Sequence, residues 1–373
     1  MMFELGDSLL IGFGAVVAIQ LFYYLFFFSR LAFHRPTPRS DAAGLPVSVV
    51  ICTRDEVRNL RQRLPSVLEQ SYEAPHEVLV VNDNSMDDTA YLLDALQLQY
   101  PLLKSVNLHQ EAKHIPGKKF PLAIGIKSAR HELVLLTDAD CSPSSPHWLQ
   151  HMQSAYASDN IEIVLGYGGY ERRPGLLNRI IRFETFHSAL QYLSYALAGI
   201  PYMGVGRNLS YRRDLFFRHK GFSAHNQLPG GDDDLFINLA AHAQNTAIMI
   251  DREALTHSEP KATFRDWKEQ KRRHYSTGRH YHAKHQFLLG LYAVSHVLLY
   301  PLFFACLLRA DPQMALGIFG LRLLLQGLIF YKVMRRLEEG DLWPWYWLLD
   351  LWQWLYYLIF IRAPWMKPRP GWK

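Results

Sequence analysis

The sequence predicts an α/β domain, a doubly wound and mostly parallel sheet, held between helices of membrane character. Three apolar runs of strand length each end in a polar cluster: Val47 to Cys52 before Thr53-Arg54-Asp55-Glu56, Glu77 to Val81 before Asn82-Asp83-Asn84-Ser85, and Leu133 to Thr137 before Asp138-Ala139-Asp140. Stretches of helical character, Asn59 to Gln70 and Asp88 to Leu98, alternate with these runs as βαβ units do. Apolar segments of spanning length stand at both ends of the chain. Sheets of this kind bind ligands outside the carboxyl ends of their strands, so the three clusters are expected on one edge.

The first element, Ser8 to Phe28, carries no charge and has about the length that crosses a bilayer. Glu4 and Asp7 stand where a signal peptide has a basic leading region, and bulky aromatics stand where a cleavage site has small residues. A retained anchor is therefore expected. Arg30, Arg35 and Arg39 follow, which places the next residues in the cytoplasm and the amino terminus outside. The expected division is an anchor at 1–29, a basic linker at 30–45, a cytoplasmic domain at 46–285, and membrane or interfacial helices with a basic tail at 286–373.

Within that last part Phe287 to Leu308, Ala315 to Met334 and Leu342 to Ile361 are candidate crossings. Three crossings put the tail outside, whereas Arg362, Lys367, Arg369 and Lys373 favour the cytoplasm. The Trp-rich third segment also suits the headgroup plane, which leaves two or three C-terminal crossings. Arg322 and Asp350 lie inside these apolar stretches. They either pair, if the helices run antiparallel around Arg335, or snorkel separately to water.

The 373 residues suffice for one domain of ordinary size plus these helices, and the net charge of +6 suits an anionic membrane surface. Scattered basic residues without an aromatic-interleaved stripe argue against nucleic acid. Cys52, Cys141 and Cys306 are too few for a disulfide framework or a zinc site, and Cys141 reads as a small buried residue. His280, His282 and His285 read as a membrane-surface patch. Asp55 and Asp88 are placed to cap the helices that follow them.

The candidate chemistry lies in four clusters. Asp138 and Asp140, one small residue apart, can aim two carboxylates at a hard divalent cation. Asp232, Asp233 and Asp234 crowd before Leu-Phe-Ile-Asn, where a helix start is expected, and such crowding raises a carboxyl pKa toward that of a general base. Lys118 or Lys119 offers positive charge, and Gln270-Lys-Arg-Arg273-His274 is basic and precedes the apolar Phe287 segment. The segment Arg182 to Tyr202 reads as a buried core helix.

Together these motifs resemble the membrane-bound family 2 glycosyltransferases, the kind that includes cellulose, chitin and hyaluronan synthases and the ceramide glucosyltransferases. The resemblance covers about Val47 to His274. It implies a GT-A-like fold that binds a UDP-sugar through Thr53, Arg54, Glu56, Asp83, Ser85, Lys118 and Asp138. It also implies Mg2+ or Mn2+ held at Asp140, Asp233 as the catalytic base with Asp232 as the alternative, and Arg273 with Gln270 at the leaving diphosphate. Gly204, Gly206 and Asn208 are similar to the family's acceptor-side loop, and Arg207 receives no role. The family's Trp is His274 here, which points away from a long polysaccharide acceptor. The implied reaction is a metal-dependent, inverting transfer to a lipid-linked or glycan acceptor at the inner membrane, with partner subunits an open matter. The alternatives are a processive synthase that extrudes its product and a catalytically silent scaffold of a polysaccharide export assembly.

Overall fold

The computed structural model describes residues 2–35, 44–109 and 115–362, with side chains from Gly6 onward. Arg39 and the tail residues Lys367, Arg369 and Lys373 lie outside the described residues. Among the described residues ten strands form two sheets: β1 (Val47–Thr53), β2 (His76–Asp83), β3 (Leu103–Leu108), β4 (Leu133–Asp138), β5 (Cys141–Pro143), β6 (Ile163–Gly166), β7 (Gly168–Tyr170), β8 (Leu209–Arg212), β9 (Thr246–Met249) and β10 (Thr256–Ser258). The large sheet has the order β3-β2-β1-β4-β8-β6-β9, and the small one β5-β10-β7. Strands β3, β2, β1 and β4 run parallel, β8 is antiparallel to both β4 and β6, and β9 is parallel to β6.

Alternate residues of the parallel strands feed two cores. Val49 and Ile51 pack with Leu60 and Leu64 of the helix Val57–Leu68. Val50 packs on the other face with Leu122 and Ile126 of the helix Lys119–Ser128. That second core runs on without a break into Tyr23, Tyr24, Phe27 and Phe28 of the anchor and into Tyr292 and Phe330 of later helices. The helix Leu176–Leu197, buried along most of its length, joins the two regions, as its few charges predict.

The expected caps are corrected. Asp87, not Asp55 or Asp88, serves both helices: its Oδ2 accepts from Val57 N and its Oδ1 from Thr89 N, each at 3.1 Å. Asp55, in the left-handed region at φ 52°, accepts instead from Met86 N at 2.7 Å. This ties the β1 loop to the β2 loop.

Among the described residues three helical stretches are long and apolar enough to cross a membrane: Gly6–Ala32, Ala283–Arg309 and Pro312–Arg336. The Leu342 to Ile361 segment is different. Pro344 lies in a 3-10 turn, Gly340–Trp345, and the α-helix that follows, Tyr346–Phe360, has 15 residues. At 1.5 Å per residue it is about 22 Å long, short of the hydrocarbon thickness. It packs on the helical hairpin 283–336 and on Leu176–Leu197, burying Leu349, Asp350, Gln353, Tyr356 and Phe360. Trp347, Leu348, Leu351, Leu355 and Ile359 face outward. Of the three C-terminal segments, two are therefore long and apolar enough to cross among the described residues.

Arg322 and Asp350 do pair, Nη1 to Oδ2 at 2.6 Å and Nη2 to Oδ1 at 3.0 Å, and both are buried. The other guanidinium N–H groups donate to Gln20 Oε1 at 2.8 Å, Gln326 Oε1 at 2.7 Å and the Tyr24 hydroxyl at 2.9 Å. Asp350 also accepts from the Tyr300 hydroxyl at 2.7 Å and from Gln326 Nε2 at 2.6 Å. The network joins the three spans and the short helix. Removing either partner strands a buried charge, so Arg322→Met and Asp350→Leu are each expected to destabilise the protein by about 3–5 kcal/mol. The double substitution is expected to recover most of that in detergent-solution thermal unfolding. A double variant as unstable as the sum of the singles would show that the pair itself carries no coupling.

Candidate active site

The cleft lies on the carboxyl edge of the parallel strands. Thr53 aligns with Asn82, and Cys52 with Asp138, so β1 stands between the Asp83 and Asp138 strands, about 10 Å apart at the strand spacing. Thr53, Arg54, Glu56, Asp83 and Ser85 gather on the β1–β2 side. Arg54 Nη1 lies 3.8 Å from Asp83 Oδ2, and Ser85 Oγ accepts from Asp55 N at 2.9 Å. Thr53 is nearly fully buried, and its hydroxyl has no protein partner among the described residues. An orphan hydroxyl at a strand end fits a ligand that completes it.

On the β4 side, ligand atoms of Asp138, Asp140 and Cys141 lie within 4.8 Å of one another. Burial, with the neighbouring Asp138 charge second, pushes Asp140 up to about 6. Two carboxylates opposed in this way suit a hard cation. Cys141 does not: its Sγ lies 3.0 Å from Ser258 Oγ, and burial with the adjacent carboxylates pushes its thiol up, so it stays protonated. Asp138 and Asp140 are the candidate ligands of a divalent cation.

Lys118 joins this half of the cleft to the next. Its Nζ lies 2.9 Å from Asp138 Oδ1 and 3.2 Å from Asp232 Oδ2. Burial opposes the ammonium, but the surrounding aspartates hold it well above the ordinary lysine range. Burial likewise opposes charge on Asp138, and Lys118 overrides this to hold the carboxyl below its usual range. Gly117 makes the placement possible. It sits at φ +77°, and a Cβ there would collide with the Pro229 carbonyl of the loop that carries the acidic triplet. Lys119 turns the other way and donates to Leu228 O.

Asp233 is both an N-cap and an open carboxylate. Its Oδ1 accepts from Asp234 N and its Oδ2 from Gly206 N, each at 2.8 Å, which fixes it at the start of the helix Asp234–Ala240. Burial, then the charges of Asp232 and Asp234, push it up to about 7 against the pull of Lys118. Asp234 points elsewhere: its Oδ2 accepts from the Thr277 hydroxyl and, at 2.7 Å, from the Tyr281 hydroxyl.

The helix Phe264–Tyr275 divides its motif by face. Trp267 and Lys271 are buried, with Lys271 paired to Glu184, while Gln270, Arg273 and His274 share the face toward the cleft. Gln270 Nε2 donates to the Tyr170 hydroxyl at 3.2 Å. Arg273 is close enough to Asp138 to favour its charge. The His274 side chain reaches solvent, yet desolvation by the atoms around its ring, then the cations Lys271, Arg273, Arg207 and Lys118, hold its pKa well below the ordinary histidine value.

Arg207, given no role from sequence, belongs to the site. Its guanidinium lies over the Tyr170 ring at 4.3 Å, and Asp138 and Asp140 stabilise its charge. The only sequence signal was its place in the Gly-Val-Gly-Arg-Asn loop. His285 corrects the surface-patch reading: it is buried, with Nδ1 2.9 Å from Asn238 Nδ2, while His280 and His282 are exposed.

Comparison with known proteins bears on the family and the fold. A family model described as Glycosyl transferase family 2 matches residues 48–217, and one described as Glycosyl transferase family group 2 matches residues 133–361, more than half of the chain. The probable glycosyltransferase YdaM of Bacillus subtilis (strain 168) is 25% identical over 289 residues, 72% of this chain and 66% of that protein. The beta-monoglucosyldiacylglycerol synthase of Synechocystis sp. is 28% identical over 155 residues, 40% of this chain and 30% of that protein. The chain thus spans less than two thirds of the length of either curated relative. The mannosyltransferase PcManGT from Pyrobaculum calidifontis, solved in complex with GDP-Man and Mn2+, is similar in fold over 94% of this chain and 99% of its own, with a TM-score of 0.57 and 18% identity. The match from strand β4 through the last described helix, on a GT-A-like sheet, shows that the chain belongs to the family 2 glycosyltransferases.

Proposed function

We propose that the protein transfers a sugar from a UDP-sugar to a hydroxyl of a membrane-associated, lipid-linked or glycan acceptor, with inversion at the anomeric carbon. The observation that carries this is the Lys118 bridge, 2.9 Å to Asp138 and 3.2 Å to Asp232, which sets a metal-type carboxylate pair beside a carboxylate of raised pKa in one cleft. In this reading Thr53, Arg54, Glu56, Asp83 and Ser85 hold the nucleotide. Asp138 and Asp140 would hold Mg2+ or Mn2+, which when bound supplies positive charge at the diphosphate.

Ionised Asp233 takes the proton of the acceptor hydroxyl, the oxygen bonds to the anomeric carbon, and the bond to the diphosphate oxygen breaks with its electron pair. A single displacement inverts the configuration. Lys118, Arg207 and Arg273 face the charge that builds on the leaving group, and Gln270 with Tyr170 positions that wall of the cleft. UDP is favoured by the likeness of Val-Asn-Asp83-Asn-Ser85 to the family's uridine segment, although the similar archaeal fold was solved with GDP-Man. A lipid acceptor is supported by the name of the Synechocystis relative and by Tyr281, which bonds Asp234 two residues before a candidate span. We place residues 46–285 on the cytoplasmic side of the inner membrane, with 1–29 and 286–373 as the membrane parts and 30–45 as the linker.

Asp233→Asn is expected to lower turnover by about 10²–10⁴-fold while nucleotide-sugar binding persists. An equal loss in Asp232→Asn with Asp233→Asn near wild type would transfer the role to Asp232. The raised pKa has a definite sign: the base works ionised, so kcat/KM is expected to fall as pH drops through about 7. Lys118 favours the charged form, so Lys118→Gln is expected to move that limb to higher pH. A limb that stays in place would separate Lys118 from the base. Chelation by EDTA, or Asp140→Asn, is expected to abolish nucleoside-diphosphate release across a panel of UDP-sugars and GDP-mannose, with Mn2+ restoring only the chelated wild type.

A further inference from the structure

Three strands beyond β4 along the sheet edge, about 14 Å at the strand spacing, a second cavity opens away from the cleft residues. It is lined by Ile250, Asp251, Arg252, Arg335 and Arg336 and encloses about 630 Å³ including its open mouth. The cavity lies where membrane helices meet the catalytic domain. Arg336 ends the span Pro312–Arg336, and its Nη1 donates to the carbonyl of His34, just past the span Gly6–Ala32. The Lys332 ammonium lies 4.5 Å from the Phe33 ring centroid at the same level.

Among the described residues that line this cavity, three guanidiniums stand with one carboxylate. Arg252 Nη2 donates to the Arg335 carbonyl at 3.2 Å and Arg335 Nη1 to the Tyr331 hydroxyl at 2.8 Å. With the His34 carbonyl at Arg336, the side-chain hydrogen bonds of the three guanidiniums among the described residues go to neutral oxygens. The carboxylate of the lining, Asp251, meets His151 Nδ1 at 3.1 Å. Arginines bonded only to carbonyl or hydroxyl oxygens keep planar N–H edges that match phosphate oxygens. A basic pocket at the end of membrane helices is also where an anionic headgroup is presented.

We propose that this cavity binds a phosphate group, as a lipid headgroup at the membrane boundary or as a soluble phosphate. The test uses the full chain in phosphatidylcholine nanodiscs. Inorganic phosphate is titrated by calorimetry, and dioleoylphosphatidic acid retained from mixed micelles is counted by mass spectrometry. Arg252→Gln with Arg335→Gln, both exposed and remote from the cleft, is expected to lower affinity for the binding probe about tenfold, which is about 1.4 kcal/mol. Thermal unfolding checks that this variant is folded, and Arg336→Lys, which keeps the charge, is expected to retain binding. Phosphate held in the catalytic cleft is insensitive to these substitutions and drops out of the comparison. A response to phosphatidic acid alone assigns the lipid source, and a response to inorganic phosphate alone the soluble one. Saturable binding of neither probe, or binding unchanged in the folded double variant, overturns the proposal.

Discussion

A charge buried among apolar helices has few neutral solutions, and Arg322 adopts the strictest of them. All its N–H groups are spent on Gln20, Tyr24, Gln326 and Asp350, residues from two spans and from the short helix beyond them. The buried guanidinium therefore dictates where Tyr346–Phe360 sits. That helix in turn packs Tyr356 and Phe360 against Trp267 and Tyr275. The Trp267 helix is the one that presents Gln270, Arg273 and His274 to the cleft. A polar contact in the membrane part and the cationic wall of the cleft are thus linked by an unbroken line of packed side chains.

A second tie acts beside it. Arg182, almost wholly buried, donates to Glu339 at 2.8 Å and forks onto Asp341 at 2.6 and 2.8 Å, while the Tyr167 hydroxyl donates to Glu339 at 2.9 Å. The turn after the last span is clamped to the catalytic core at the same height as β6 and β7. With the core continuous from Val50 to Phe330, the sheet and the helical bundle behave as one packed body rather than as a domain on a tether.

Those parts of the molecule that follow from local pattern were legible in the sequence. An apolar run ending in polar residues marks a buried strand whatever surrounds it, which is why β1, β2 and β4 and their clusters fall on one edge. For Arg322 and Asp350 the sequence showed that a charge in an apolar stretch demands an answer, but left pairing and snorkelling open; the bond between them settles it. What depends on tertiary crossings was not legible. Asp87 caps two helices because the β1 and β2 loops meet; His285 is buried because Asn238 faces it; Arg207 matters because β7 brings Tyr170 beneath it. The short last helix follows from Pro344 shaping the turn before it, a local signal outweighed by the run of apolar residues around it.

Tyr281 donates to Asp234, the neighbour of Asp233, and the span Ala283–Arg309 begins two residues later. The acidic triplet is therefore tied by this bond to the root of a candidate membrane helix, although the two lie far apart along the chain. For an acceptor confined to the bilayer, this turns a search through volume into a search within a plane, at a height set by the helix itself. Any change that lifts the root of that helix would starve the cleft of such acceptors even with every side chain of the cleft intact, because encounter frequency, rather than chemistry, would set the rate.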